Sequence, residues 1–228
     1  MVIMRILFLV LVSYCFAETI FGQGTGNYEP IEVHGWKVFA SKEFLASEVH
    51  TKVRKILEEK LSEISSNIDS AVLATLRSIP IWVDLDIKND FLHPIDYHPS
   101  EQWLSEHGLN PRWAGSVEIG NTSIFLEQIG KHPGYLARVF ADGYDHRKFS
   151  YQIPGIEQLY KKLKESIRFV DLMEREGIRG SQPADQRNLF CILSTIYLSR
   201  ADRFPFARDD LKGFNADAFA FMKEIWGP

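Results

Sequence analysis

The chain has 228 residues, 45% of them hydrophobic, and sets 26 Lys and Arg against 30 Asp and Glu for a formal charge of −4 at pH 7. That length and apolar content suffice for one domain with a sizeable core. The mild acidity gives no electrostatic reason to expect nucleic acid or an anionic membrane as partner.

The chain starts with a short basic stretch, Met1 to Arg5, then an apolar run from Ile6 to Val12, then small residues at Cys15 and Ala17 in the positions that signal peptidase reads. Residues 1–17 are therefore expected to be a removed secretory signal, which makes the protein secreted and extracellular with Glu18 as its first residue. The apolar run is too short to span a bilayer, and no other run approaches the ~20 residues a spanning helix needs. Removal of the signal takes Cys15 with it. Cys191 then stands alone among apolar neighbours in "NLFCILSTIYL", which predicts a buried, inert thiol and no intramolecular disulfide.

Residues 18–30, with the Gly-rich "FGQGTG", read as a flexible leader, and 31–228 as a single domain. "IEVHGWKVFA" alternates around Gly35 and predicts a strand or small hairpin. From Ser47 to Ile68 the apolar residues Val49, Val53, Ile56, Leu57, Leu61, Ile64 and Ile68 recur every three or four positions, the spacing of an amphipathic helix. A shorter helix over Ser70 to Arg77 leads to "IWVDLD", in which Ile81, Val83 and Leu85 alternate with Trp82, Asp84 and Asp86 as in a half-buried strand. Residues 88–114 lack periodicity and predict a long surface-packed connection. "SVEI" and "SIFLE" then read as two strands about a Gly120-Asn121 turn. Four helical stretches follow, at about 133–148, 155–176, 184–200 and 208–226. Strands first and helices afterwards give the class α+β.

Four segments, "IPIWVDLD", "YHPSEQWLSEHGLNPRWAGSVEIGNTSIFLE", the helix after His132-Pro133, and "FPFARDDLKGFNADAFAFMKEIWG", together resemble a family of zincin-like metallopeptidase domains, over about Val33 to Gly227. The resemblance implies a small twisted sheet beneath a metal-binding helix, with a second helix adding a ligand. In the His-Glu-x-x-His motif of such domains, two histidines one helical turn apart bind zinc, the glutamate acts as general base and a later carboxylate completes the site. Aligned on Tyr144, the motif falls on Arg138, Val139, Phe140, Ala141 and Asp142, and the acidic pair of the second helix on Asn188 and Ile192. A guanidinium at 138 repels a divalent ion, and Val139 cannot carry a proton. The resemblance therefore implies an ancestral-type zinc site that has lost its ligands. No cofactor is expected, and a binding role toward an extracellular protein, peptide or glycan replaces catalysis.

An alternative keeps enzymatic activity: a metal-dependent hydrolase rebuilt around Asp142, Asp145 and His146, with His132 close in sequence. Against it stands the ordinary helix-face pair of Arg138 with Asp142, four residues apart, which leaves His146 an exposed neighbour. His98 within "YHPS" reads as an organiser of its loop, Trp103 and Trp113 as packing groups, and Lys161 with Glu165 as a solvated helix face. Asn121-Thr122-Ser123 is an N-glycosylation sequon as well as a turn.

Overall fold

A computed structural model describes residues 26–66, 68–89, 93–165, 186–201 and 204–227. The expected signal at 1–17, most of the expected leader and the far half of the helix expected over 155–176 lie outside the described residues. Among the described residues the protein is mixed α+β, with helices gathered about a small open five-stranded sheet.

Strand β1 (Tyr28–Val33) and β2 (Trp36–Ser41) form an antiparallel hairpin. Its two-residue turn requires left-handed backbone at both positions, and His34 (φ 50°) and Gly35 (φ 83°) provide it. A Cβ at Gly35 would also stand 2.7 Å from the Arg77 guanidinium. The leader is thus shorter than its composition suggests: Tyr28 is already paired with Ser41, and the Lys42 N–H bonds back to the Asn27 carbonyl.

Helix α1 (Lys42–Leu45), α2 (His50–Ser65) and α3 (Ser70–Arg77) follow. On α2 the residues Val53, Leu57, Leu61 and Ile64 are buried, the stripe that the apolar spacing predicts. β3 (Ile81–Val83) pairs parallel to β2, and β5 (Ser116–Ile119) parallel to β3. β4 (Asp96–His98) closes the far edge antiparallel to β5, so the strand order is β1-β2-β3-β5-β4.

Two expectations fail here for local reasons. The 88–114 segment is not merely a surface connection. It supplies β4, helix α4 (Glu101–Glu106), which Ser100 caps through its side chain, and a 3-10 turn at Pro111–Trp113. "SIFLE" is not a strand but the first part of helix α5 (Thr122–Lys131). Asn121 accepts the Ile124 N–H at 2.9 Å, an N-cap, and Thr122, Phe125 and Ile129 turn inward at helical spacing. The short apolar run fits either period, and the cap decides it.

The chain then becomes helical: α6 (Tyr135–Phe149), α7 (Ile156–Lys164), α8 (Gln186–Leu198), α9 (Arg208–Phe214) and α10 (Ala216–Trp226). The helix expected over 208–226 is two, because Asn215 is extended (φ −156°, ψ 109°) and accepts the Ala218 N–H with its side chain. α8 is buried on almost every side and lies against α6. Its Ser194 hydroxyl accepts the Trp226 indole N–H at 3.1 Å. Cys191 is buried on this helix, as its neighbours predict, and is a free thiol.

Alternation along the strands divides the sheet into two unlike faces. Val38, Ala40, Ile81, Val83, Tyr97, Val117 and Ile119 join the main core with α2, α3, α6 and α8. Phe39 and Trp82 point the other way and pack with Leu104, Leu109 and Trp113 from the excursion that carries α4. α6 lies close on the first face. A Cβ at Gly143 would come within 2.9 Å of the Tyr97 ring and of Ile79 Cδ1, so only glycine permits this approach.

Candidate functional site

Residues Tyr135, Arg138, Val139 and Asp142 are spaced as i, i+3, i+4 and i+7 and share one stripe of α6. That stripe forms one wall of a cleft of about 350 Å³. Arg187, Asn188 and Cys191 on α8 form a second wall, and His93, Ile95, Asp96 and Tyr97, leading into β4, a third. Of the positions onto which the metallopeptidase pattern falls, Arg138, Val139, Asp142 and Asn188 line this single cavity, whereas Ile192, the other second-helix position, is buried in the core away from it.

Its electrostatics differ from the expected pairing. Asp142 is held by Arg187 across the cleft, Oδ1 accepting from Nε at 2.5 Å and Oδ2 from Nη2 at 2.6 Å. Arg138 does not take this role. A guanidinium reaching over from the neighbouring helix presents two parallel N–H groups to two oxygens, a bidentate geometry that outcompetes a pair within one helix. Arg187 also lies 4.1 Å over the Tyr151 ring, and its side chain keeps 42% of its surface exposed against 15% for Asp142. The Arg138 side chain has no hydrogen bond or ion pair with any of the described residues, and the residue is half-buried.

One turn along α6, Asp145 is 2% exposed and its Oδ1 has no hydrogen-bond partner among the described residues. Burial, with Asp142 nearby as a second cause, raises this carboxyl to about 6. The buried Tyr151 hydroxyl has no partner among the described residues, and burial raises its pKa. His146 is occupied elsewhere: its Nδ1 lies 2.7 Å from the Tyr97 hydroxyl and its ring stacks on Tyr151. Asp142 and His146 thus bond to different groups, Arg187 and Tyr97, although both lie about the Tyr151 ring, and His132 is exposed at the end of α5. No group of three or more His, Cys, Asp and Glu side chains arranged to hold a metal occurs among the described residues.

Zinc does not fit the donor set of the cleft. The motif positions contribute a guanidinium, a carboxylate already bound to a second guanidinium, and an amide, whereas a three-ligand site needs converging deprotonated donors. The buried Cys191 thiol is no substitute, because burial raises its pKa far above neutrality.

A second polar cluster lies on the opposite face of the sheet, and the sequence reading missed it. Glu118, in the middle of β5, is fully buried. One oxygen is 3.5 Å from His98 Nε2 and the other has no hydrogen-bond partner among the described residues. Asp84 is also buried there and accepts the Tyr28 hydroxyl at 2.8 Å. Burial raises the pKa of both carboxyls, Glu118 well above the ordinary range, and lowers that of His98. His98 is thus a strand residue beneath the α4 layer, not a loop organiser, and Trp113, 2% exposed, stacks on it at 6.0 Å. Trp103, 37% exposed, stacks on His107 at 4.1 Å.

Asn121 uses both ends of its amide, accepting the Ile124 N–H and donating to Asp86 Oδ1 at 2.5 Å, and the sequon residue Thr122 is fully buried. Lys161 pairs with Glu157 at 2.6 Å rather than with Glu165, since both lie inside α7 one turn apart. No helix among the described residues is long and apolar enough to cross a membrane.

Comparison of the chain with protein-family models, curated proteins and solved structures finds no match.

Proposed function

We propose that the protein is a secreted, zincin-like pseudopeptidase, a metallopeptidase scaffold that has lost catalysis and uses its cleft to bind an extracellular protein, peptide or glycan. One observation carries the reading. At the positions of the zinc motif the cleft presents Arg138, Val139 and an Asp142 already neutralised by Arg187, with Asn188 opposite. Two guanidiniums beside the only motif carboxylate are incompatible with a divalent ion, yet the helix pair and the cavity between them persist. A mixed sheet with an antiparallel edge strand, lying beneath the helix that carries these residues, gives further support.

Elemental analysis of the purified chain after exhaustive dialysis tests the proposal. Less than about one-tenth zinc per chain is expected, together with no cleavage of a mixed peptide library. Near-stoichiometric zinc would overturn it. Conversely, Arg138→His, Asp142→His and Asn188→Glu, combined with Arg187→Ala to remove the second cation, should install a zinc site. A folded, metal-free quadruple variant would mean that the ligand positions are misassigned.

A further inference from the structure

We infer that the cleft receives a ligand carboxylate on Arg138, with the apolar body of the ligand lying against Ile95 and Val139. This deepens the proposed function and rests on reading the cleft as a binding site. The two guanidiniums are not equivalent. Arg187 has its Nε and Nη2 groups committed to Asp142 and its face to Tyr151, so it acts as a fixed part of the wall. Arg138 carries a full charge that nothing among the described residues answers, on a half-buried stripe directed at the cavity.

A planar cation, partly withdrawn from water and presenting parallel donors, best matches a carboxylate in bidentate contact. The competing acid on the facing wall is Asp96. Its Oδ1 already accepts the Tyr97 N–H at 2.9 Å, and burial pushes it toward its neutral form. Among the described residues it makes no ion pair with Arg138. Cleft volume limits the ligand. About 350 Å³ lies at the small end of ligand pockets and suits a body the size of one or two amino-acid residues. A small free carboxylic acid and the carboxy terminus of a peptide both supply this chemistry.

The test uses the whole chain, 15N-labelled, with the Arg Nε–Hε signals as readout. Three probes are titrated: N-acetyl-leucine, N-acetyl-leucinamide, and N-acetyl-Ala-Ala-Leu with a free carboxy terminus. The acids should shift the Arg138 signal and bind at least about tenfold more tightly than the amide, the effect of one charge-assisted contact. Arg138→Ala should abolish the preference, and Arg138→Lys should retain part of it, with melting temperatures showing that both variants fold. Tighter binding of the tripeptide identifies a peptide terminus as the source, and equal binding identifies a free acid. Equal affinity for acid and amide, or no binding of any probe, would overturn the inference while leaving the zinc-free reading intact. Zinc or peptide cleavage alongside acid binding would overturn that reading and leave the carboxylate site standing.

Discussion

The rim of the cleft and the sealed face of the sheet both gather ionisable side chains, but they resolve the charge in opposite ways. At the rim, Asp142 meets Arg187 in a bidentate pair that water still reaches. Beneath the α4 layer, among the described residues, Glu118 has no Lys or Arg partner and bonds only to His98 at 3.5 Å, whose pKa burial lowers. There burial raises the pKa of the carboxyls and so favours their protonated form. Asp142 and Asp145 repeat the contrast within one helix, one turned to the cleft and the other turned inward without a hydrogen-bond partner for Oδ1 among the described residues.

The largest effect should come from forcing a permanent charge into the sealed face. Glu118→Arg introduces a cation that cannot discharge, and it should cost several kcal/mol, enough to unfold a marginal domain. The reverse change at the rim, Arg138→Glu, should leave the fold intact. Urea melts of both variants make the comparison, and a Glu118→Arg protein as stable as the parent would show that this face is open to water.

The next largest effect is a dependence on pH. Asp145 is raised to about 6 in the fold, above its unfolded value. The folded protein then holds the proton more tightly than the unfolded chain. Its contribution is fully present below about pH 4 and is lost as pH rises through about 6. Glu118 and Asp84 act in the same direction. His98, lowered by burial, acts oppositely: its contribution is present above about 6.5 and is lost as pH falls below that value. Stability should therefore fall as pH rises from about 4 through about 6, and Asp145→Asn should remove about 2 kcal/mol of that fall. Glu118→Gln should flatten the same curve further. Chemical denaturation at several pH values measures both, and an Asp145→Asn protein with the parent's slope would mean that Asp145 is not buried in solution.

A smaller effect is expected from the rim pair. A double-mutant cycle on Asp142 and Arg187 should give a coupling of roughly 1 kcal/mol, because Arg187 keeps 42% of its side-chain surface in contact with water. The smallest concerns Glu157 with Lys161. Both are exposed, and Glu157→Gln should leave the unfolding midpoint unchanged within error.

How much of this was legible in the sequence follows from which interactions are local. The α2 stripe and the burial of Cys191 depend on spacing and neighbours, and both could be read. The capping of α5 by Asn121 and the break at Asn215 are also local. Short apolar runs nevertheless suggested a strand and an unbroken helix, because a cap is visible only once the period is known. Arg187 was missed for a different reason: its partner Asp142 is 45 positions away, and no spacing rule links residues on separate helices. Glu118 was hidden by its own strand. In "SVEI" an alternating acid reads as the solvent-facing side, and only the excursion that carries α4 buries it.

Gly143 faces the sheet immediately beyond Asp142 and contributes no donor, acceptor or charge to the cavity. Its missing methyl nonetheless sets how near α6 rests on the Tyr97 ring, and Tyr97 both lines the cavity and holds His146. Gly143→Ala would act as a shim. It would lift the helix by a few tenths of an ångström, part the Tyr97–His146 contact and widen the opening while every group that meets a ligand stayed the same. The gauge of this opening is thus fixed from outside, by a single hydrogen atom, and can drift independently of the chemistry it admits.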